Sequence, residues 1–223
     1  MGLKRNGLAL VKQYLGKRVL CLSYPDLVMP PGEVCEVLGI QVDEYTDHGG
    51  WHGVNYRLAE TGAAFRKAGV EELKFIDIHA SRGCESIVDL NVDAGEPRIL
   101  GGWYDLVIDP GTTEHCFNVG VAIKQAASAV AVGGVIVHTP PVSMVNHGFW
   151  NFNPTALFDF YSQNGWEILV MNLADGNEQF YKCPRTARFQ CPPELSVYFA
   201  ARRLTDAALK WPTQSKYLAN PNL

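Results

Sequence analysis

The 223 residues are 47% hydrophobic and 11% aromatic with a formal net charge of −4, enough apolar material for a sizeable core and too much for a disordered chain. The acidic balance offers phosphates no basic face, so no nucleic-acid partner is expected, and Arg185, Arg188, Arg202 and Arg203 read as scattered surface charge. No run approaches the roughly 18 apolar residues of a membrane span, and Lys12, Gln13, Lys17 and Arg18 interrupt the apolar residues near the start, so neither a membrane nor a secretory signal is expected.

From the N-terminus, Leu3, Leu8, Leu10, Val11, Tyr14 and Leu15 fall at helix-compatible spacing and stop at Gly16. Arg18–Ser23 reads as a buried strand ended by Tyr24-Pro25-Asp26, with Cys21 as a small buried hydrophobe. Glu33–Leu38 is compatible with either a short helix or a strand. Asp43–Gly53, with Asp47, His48, Trp51 and His52 among glycines, reads as a long ordered loop, and loops of that length often carry function. Val54–Ala68 predicts a helix stopped by Gly69, Leu73–Ile78 a strand, and Ile87–Asn91 a short apolar run holding an acid.

Tyr104–Asp109 is a strand, Phe117–Val132 a helix closed by Gly133-Gly134, and Val135–His138 another strand. Asn153-Pro154 starts a helix, because Asn caps free amides and Pro suits the first turn; Asn164-Gly165 stops it. Trp166–Leu173 and Leu195–Arg202 are strands with no clear helix between them, which predicts an antiparallel pair at one edge. The residues from 205 onward read as a polar surface tail. Strands alternating with helices predict one α/β domain over 1–223 with a doubly wound, mostly parallel sheet. The six cysteines form no CxxC pair, so zinc-ribbon and thioredoxin chemistry lack support and a reduced, cytoplasmic chain is expected.

The stretch from Tyr104 to Asn118 is the most informative: an apolar strand runs into Asp109, a Pro-Gly turn follows, and Glu114 and His115 stand side by side before a helical pattern. Ligands of open α/β sheets bind at such strand ends. This order of elements resembles the class I S-adenosylmethionine-dependent methyltransferases, whose fourth strand often leads to a Glu-His pair, a helix and a fifth strand. More narrowly, Asp109-Pro-Gly-Thr-Thr-Glu-His-Cys-Phe-Asn118 and Asn146-His-Gly-Phe-Trp-Asn-Phe-Asn-Pro154 are similar to a bacterial methyltransferase-like subgroup with "GTLEHVFN" and "GHGFYQFSP" segments. The resemblance implies a Rossmann-like methyltransferase fold closed by an antiparallel C-terminal strand pair. It also implies S-adenosylmethionine bound at Ser23, Tyr24, Asp77, Ile78, Asp89, Leu90, Asp109 and Gly111. In that arrangement Asp77 takes the ribose hydroxyls and Asp89 the adenine amine. One departure stands out: such enzymes place a Gly-rich loop after strand one, where a Cβ collides with the cofactor, and here Ser23-Tyr24-Pro25-Asp26 has no glycine.

The catalytic candidates are His115, Glu114 and His147. A methyl transfer to oxygen or nitrogen benefits from a base, and imidazole suits neutral pH. Glu114 has a structural alternative, favouring the helix that starts near Phe117 through its dipole. His147 sits in a loop of Asn, Phe and Trp that can cover a substrate, while His138 at a strand end reads as a satisfied core histidine. Gly111 serves the tight turn rather than a phosphate. Asp47, His48 and His52 have no helical metal spacing across Gly49-Gly50, so a metal site requires tertiary convergence, and none is assigned. The leading expectation is methyl transfer to a small-molecule or sugar-type acceptor. The alternatives are a binding or scaffold protein of the same fold, or a metal-assisted enzyme using Asp77, His79, His115 and His147.

Overall fold

The computed structural model describes residues 2–92, 103–184 and 188–220. Its large sheet has eight strands: β1 (Arg18–Leu22), β2 (Glu72–Asp77), β3 (Ser86–Ile87), β4 (Tyr104–Asp109), β5 (Val130–His138), β6 (Glu167–Ala174), β7 (Phe180–Lys182) and β8 (Ser196–Arg202). Across the sheet they run β3-β2-β1-β4-β5-β8-β6-β7, parallel from β3 to β5 and antiparallel beyond it. The order 3-2-1-4-5 is that of a Rossmann-like sheet, and the chain reverses direction of growth between β1 and β4. The sheet is therefore mixed. The expected antiparallel closing strands are β6 and β8, and β8 lies inside the sheet with the short β7 added at the edge.

The central parallel strands β1 and β4 and the second half of β5 are buried on both faces, so their side chains alternate between two cores rather than between core and water. Leu20, Leu22, Val107 and Ile136 pack on one face with helices α4 (Val119–Ser128) and α5 (Pro154–Gln163). Val19, Cys21, Leu106, Ile108, Val135 and Val137 pack on the other with α1 (Arg5–Gln13), α2 (Pro31–Leu38) and α3 (Thr61–Lys67). The sheet is doubly wound, as expected. Among the described residues no helix is long and apolar enough to cross a membrane.

Several boundaries follow local chemistry closely. The strand at Tyr104–Asp109 has the expected ends. The Asn153 side chain accepts from Thr155 N at 3.0 Å to start α5, and Gly165 leaves it at φ +74°. Residues Glu33–Leu38 prove helical, within α2.

Other boundaries differ. The expected helix over Val54–Ala68 is helical only from Thr61, because Leu58–Ala59 pairs with Tyr45–Thr46 and the Glu60 carboxylate caps Gly62 N and Ala63 N. His48–His52 forms one 3-10 turn despite its glycines; Gly49 is needed because a Cβ there would meet Tyr56 O at 2.2 Å. The helix over Phe117–Val132 stops at Ser128, and Gly133-Gly134 lies inside β5 as an irregularity between the pairs Tyr104↔Val130 and Leu106↔Val135. Arg203 explains this shift. It is buried rather than on the surface, its guanidinium donates to Val130 O at 2.7 Å, and its carbonyl accepts from Gly133 N at 2.7 Å. Arg185 lies outside the described residues.

A Cβ on Gly134 would lie 2.9 Å from both Tyr104 O and Asp105 O. Overpacking against backbone costs about 1–3 kcal/mol. Gly134→Ala is therefore expected to lower stability by about 2 kcal/mol in urea unfolding, and an unchanged midpoint would contradict this account of the bulge.

Candidate functional site

At the end of β4 the fully buried Asp109 organises everything that follows. Its Oδ1 accepts from Thr112 N at 2.7 Å and Thr113 N at 3.3 Å, and its Oδ2 from the Thr113 hydroxyl at 2.6 Å and His138 Nδ1 at 2.7 Å. His138 Nε2 lies 2.7 Å from the Tyr161 hydroxyl of α5, so His138 is the satisfied core histidine expected. Burial alone would raise the Asp109 pKa, but the bonds from His138, Thr113 and Thr112 hold it below the usual carboxylate value. Asp109 is thus a support beneath the crevice, and both its oxygens are engaged by the protein.

The turn that Asp109 anchors winds Thr113–His115 into one 3-10 turn after Gly111, whose φ is +101°. This drives Glu114 inward and leaves His115 exposed. Neither Glu114 oxygen has a hydrogen-bond partner. Its side chain is 1% exposed, and burial, with the Asp109 charge second, pushes its pKa up to about 9. The helix-favouring role is not realised: α4 begins at Val119, four residues past His115, with Asn118 at its cap.

The loop after β5 closes over this acid. Phe149 N and Trp150 N donate to Glu114 O at 2.9 and 3.2 Å, and Trp150 Nε1 donates to Cys116 O at 3.1 Å. Gly148 permits the approach, since a Cβ there would meet Glu114 O at 2.9 Å. The loop thereby brings His147 Nε2 to 3.7 Å from Glu114 Oε1, and its ring to 5.3 Å from that of His115. Burial first and His147 second lower the His115 pKa. Exposed Phe117, Phe149 and Trp150 form an aromatic rim beside the cluster. The three catalytic candidates therefore converge.

Two cavities flank the switch point. One, about 340 Å³, is lined by Gly111, Glu114, Thr139, His147 and His52 among others, at the ends of β4 and β5. The other, about 240 Å³, is lined by Ser23, Tyr24, Asp26, Trp51, His52, Asp77, Ser81 and Arg82, at the ends of β1 and β2. His52 borders both. Of the expected cofactor residues, Ser23, Tyr24 and Asp77 share the second cavity and Gly111 lines the first. Ile78, Asp89 and Leu90 line neither of these two cavities. Asp89 is exposed and its Oδ1 is occupied by Asn91 N at 2.8 Å, while the Leu90 side chain is core.

Ser23 has φ +71°, the left-handed region that favours glycine. The backbone thus makes a glycine-type turn after β1 although the residue is serine. Its hydroxyl lies 3.0 Å from that of Thr112, tying β1 to the β4 loop.

Among the described residues, Asp47, His48 and His52 do not come together as a metal site, in line with their lack of metal spacing. Asp47 pairs with Arg57 at 2.8 Å, whereas His52 and His48 turn to buried Asp26 at 2.8 and 3.5 Å. Arg82 Nη2 reaches the same Asp26 at 2.6 Å, and its guanidinium lies 4.3 Å from the Trp51 ring centre. Asp26 and Arg82 went unremarked in the sequence because only tertiary contact distinguishes them from surface charges. Among the described residues, the group whose donor atoms all lie within 4.8 Å of one another is Glu114, His115 and His147.

No protein-family profile matches the chain, and no curated protein does. Among solved structures, TehB from Haemophilus influenzae is similar with a TM-score of 0.43 and 15% sequence identity, over 63% of this chain and 52% of that one. The match thus spans about half of the TehB chain.

Glu114 makes its own test of the site. A carboxyl whose folded-state pKa lies above its unfolded value costs nothing below the unfolded pKa, and stability falls as pH rises toward the folded one. For Glu114 that window runs from 4.5 to about 9. In chelator-treated protein, Glu114→Gln is expected to gain stability over the parent chain as pH rises from about 5 to about 8, read by urea unfolding. A pH-independent difference would show that Glu114 is not the isolated acid described.

Proposed function

We propose that the chain transfers a methyl group from S-adenosylmethionine to a hydroxyl or amine of a small-molecule acceptor. The observation that carries this is the pair of cavities either side of the β1/β4 switch point, bordered in common by His52. One presents a diol-binding acid, Asp77, beside a left-handed turn at Ser23, as a nucleoside requires. The other presents imidazole and carboxyl groups, as an acceptor that must lose a proton requires. Holding donor and acceptor in line supplies most of the rate, through positioning rather than covalent chemistry. As the acceptor–methyl bond forms, the sulfonium–methyl bond breaks and its electron pair stays on sulfur as a neutral thioether. The acceptor proton leaves toward the Glu114–His115–His147 cluster.

One observation favours a second reading, a binding protein without transfer. Arg82, paired with Asp26, and Trp51, whose ring lies under the Arg82 guanidinium, stand in the Asp77 cavity. A nucleoside must displace them or stack against them.

Calorimetric titration with S-adenosylmethionine, read together with turnover, separates the two. Binding is expected, and Asp77→Ala is expected to weaken it on the order of tenfold to a hundredfold, the worth of a charge-assisted hydrogen bond. Absence of any binding heat would leave the scaffold reading. For His115→Ala, conversion of S-adenosylmethionine to S-adenosylhomocysteine in a metabolite extract should cease while the melting temperature stays close to that of the parent chain. A large fall in melting temperature would make His115 structural instead.

A further inference from the structure

We infer that Glu114, His115 and His147 form a binding site for one divalent first-row transition-metal cation. The first ground is the donor set itself: one carboxylate and two imidazoles, from two separate segments, with donor atoms all within 4.8 Å of one another. A catalytic zinc or iron(II) centre takes this kind of mixed nitrogen and oxygen set, with three protein ligands and open positions for water or substrate. Magnesium and calcium prefer all-oxygen shells, which this cluster does not supply.

The second ground is independent of the first. Both oxygens of Glu114 are buried without any hydrogen-bond donor. Buried carboxylates are ordinarily paired, hydrogen-bonded or bound to a metal, because an uncompensated one is costly. Here the neighbouring acid Asp109 takes the local donors, the amides of Thr112 and Thr113 and the Thr113 hydroxyl. The two imidazoles stand with their ring nitrogens within 4.8 Å of the carboxylate, and a cation held between them would supply the charge that Glu114 lacks.

Separations agree with this. Two ligands each about 2.1 Å from one cation stand roughly 3.0–3.5 Å apart, and His147 Nε2 is 3.7 Å from Glu114 Oε1. The three donor atoms lie within 4.8 Å of one another, and closure of the two exposed imidazoles by on the order of 1 Å completes the shell. The framework is already held: Glu114 by the turn that Asp109 anchors, and the His147 loop by its amides on the Glu114 carbonyl. Glu114 and His147 line the larger cavity, so the open positions of the cation meet whatever binds there. If that occupant is the acceptor of methyl transfer, which rests on the function proposed above, coordination would lower the pKa of its hydroxyl. In the metal-bound state Glu114, His115 and His147 are ligands, so the proton would leave to solvent and only the metal-free cluster would take it directly.

The test uses the full chain without a histidine tag, stripped with chelator and titrated with zinc chloride by calorimetry. Cobalt(II) absorption in the visible range reports the coordination directly. One equivalent is expected, with affinity falling on the order of a hundredfold or more in His147→Ala and in Glu114→Gln. His147 is 44% exposed, so its removal leaves the fold intact, and the conservative glutamine keeps the volume of Glu114. Failure of the parent chain to take up stoichiometric zinc would overturn the site, as would parent-like binding by both variants. S-adenosylmethionine is titrated into the metal-free chain in parallel, so loss of the metal and loss of the methyl donor are read separately.

Discussion

The carboxylate of Asp109 is the point from which the site is built. It ends a fully buried strand, where an ionised group is tolerated only if its lone pairs are filled. Filling them recruits the Thr112 and Thr113 amides, the Thr113 hydroxyl and His138, and through His138 the Tyr161 hydroxyl of α5. Two neighbouring strands and a helix are thereby locked in register at the C-terminal edge of the sheet. The same bonds force the chain into the tight turn that carries Glu114 and His115.

Two acids five residues apart end in opposite states. Asp109 has every oxygen bonded and a lowered pKa, whereas Glu114 has none bonded and a raised one. The first state helps cause the second, because the local donors are used once and the Asp109 charge then disfavours another. Natural folds satisfy their buried polar groups almost everywhere. An unsatisfied acid beside two imidazoles departs from that rule, and its burial is held in place by the turn and the loop that close around it.

Across the switch point the chain makes a glycine-type turn with a serine. Ser23 keeps the left-handed backbone and uses its hydroxyl to meet Thr112, joining the two halves of the sheet where they diverge. Beyond it, buried Asp26 gathers the half-buried His48, His52 and Arg82 around itself. His52 belongs to this group and also borders the larger cavity, so a ligand on either side meets the same residue.

Local chemistry was enough to read Tyr104–Asp109 as a strand, Asn153-Pro154 as a helix start and the alternation that makes the sheet doubly wound. Hydrophobic runs, caps and turn residues act over a few positions and need no partner from elsewhere. It also marked Glu114, His115 and His147 as the reactive candidates, since their types and their place after strands are local facts. Local chemistry failed where a distant group decides the outcome. Gly133-Gly134 resembles a helix stop until Arg203 takes the backbone beside it, and Val54–Ala68 resembles a helix until Tyr45–Thr46 pairs with part of it. Asp26 and Arg82 were invisible for the same reason. That Glu114 is buried with no donor, and that two imidazoles close on it, was decided by tertiary structure alone, because burial and hydrogen-bond competition are properties of the whole neighbourhood and not of any one segment.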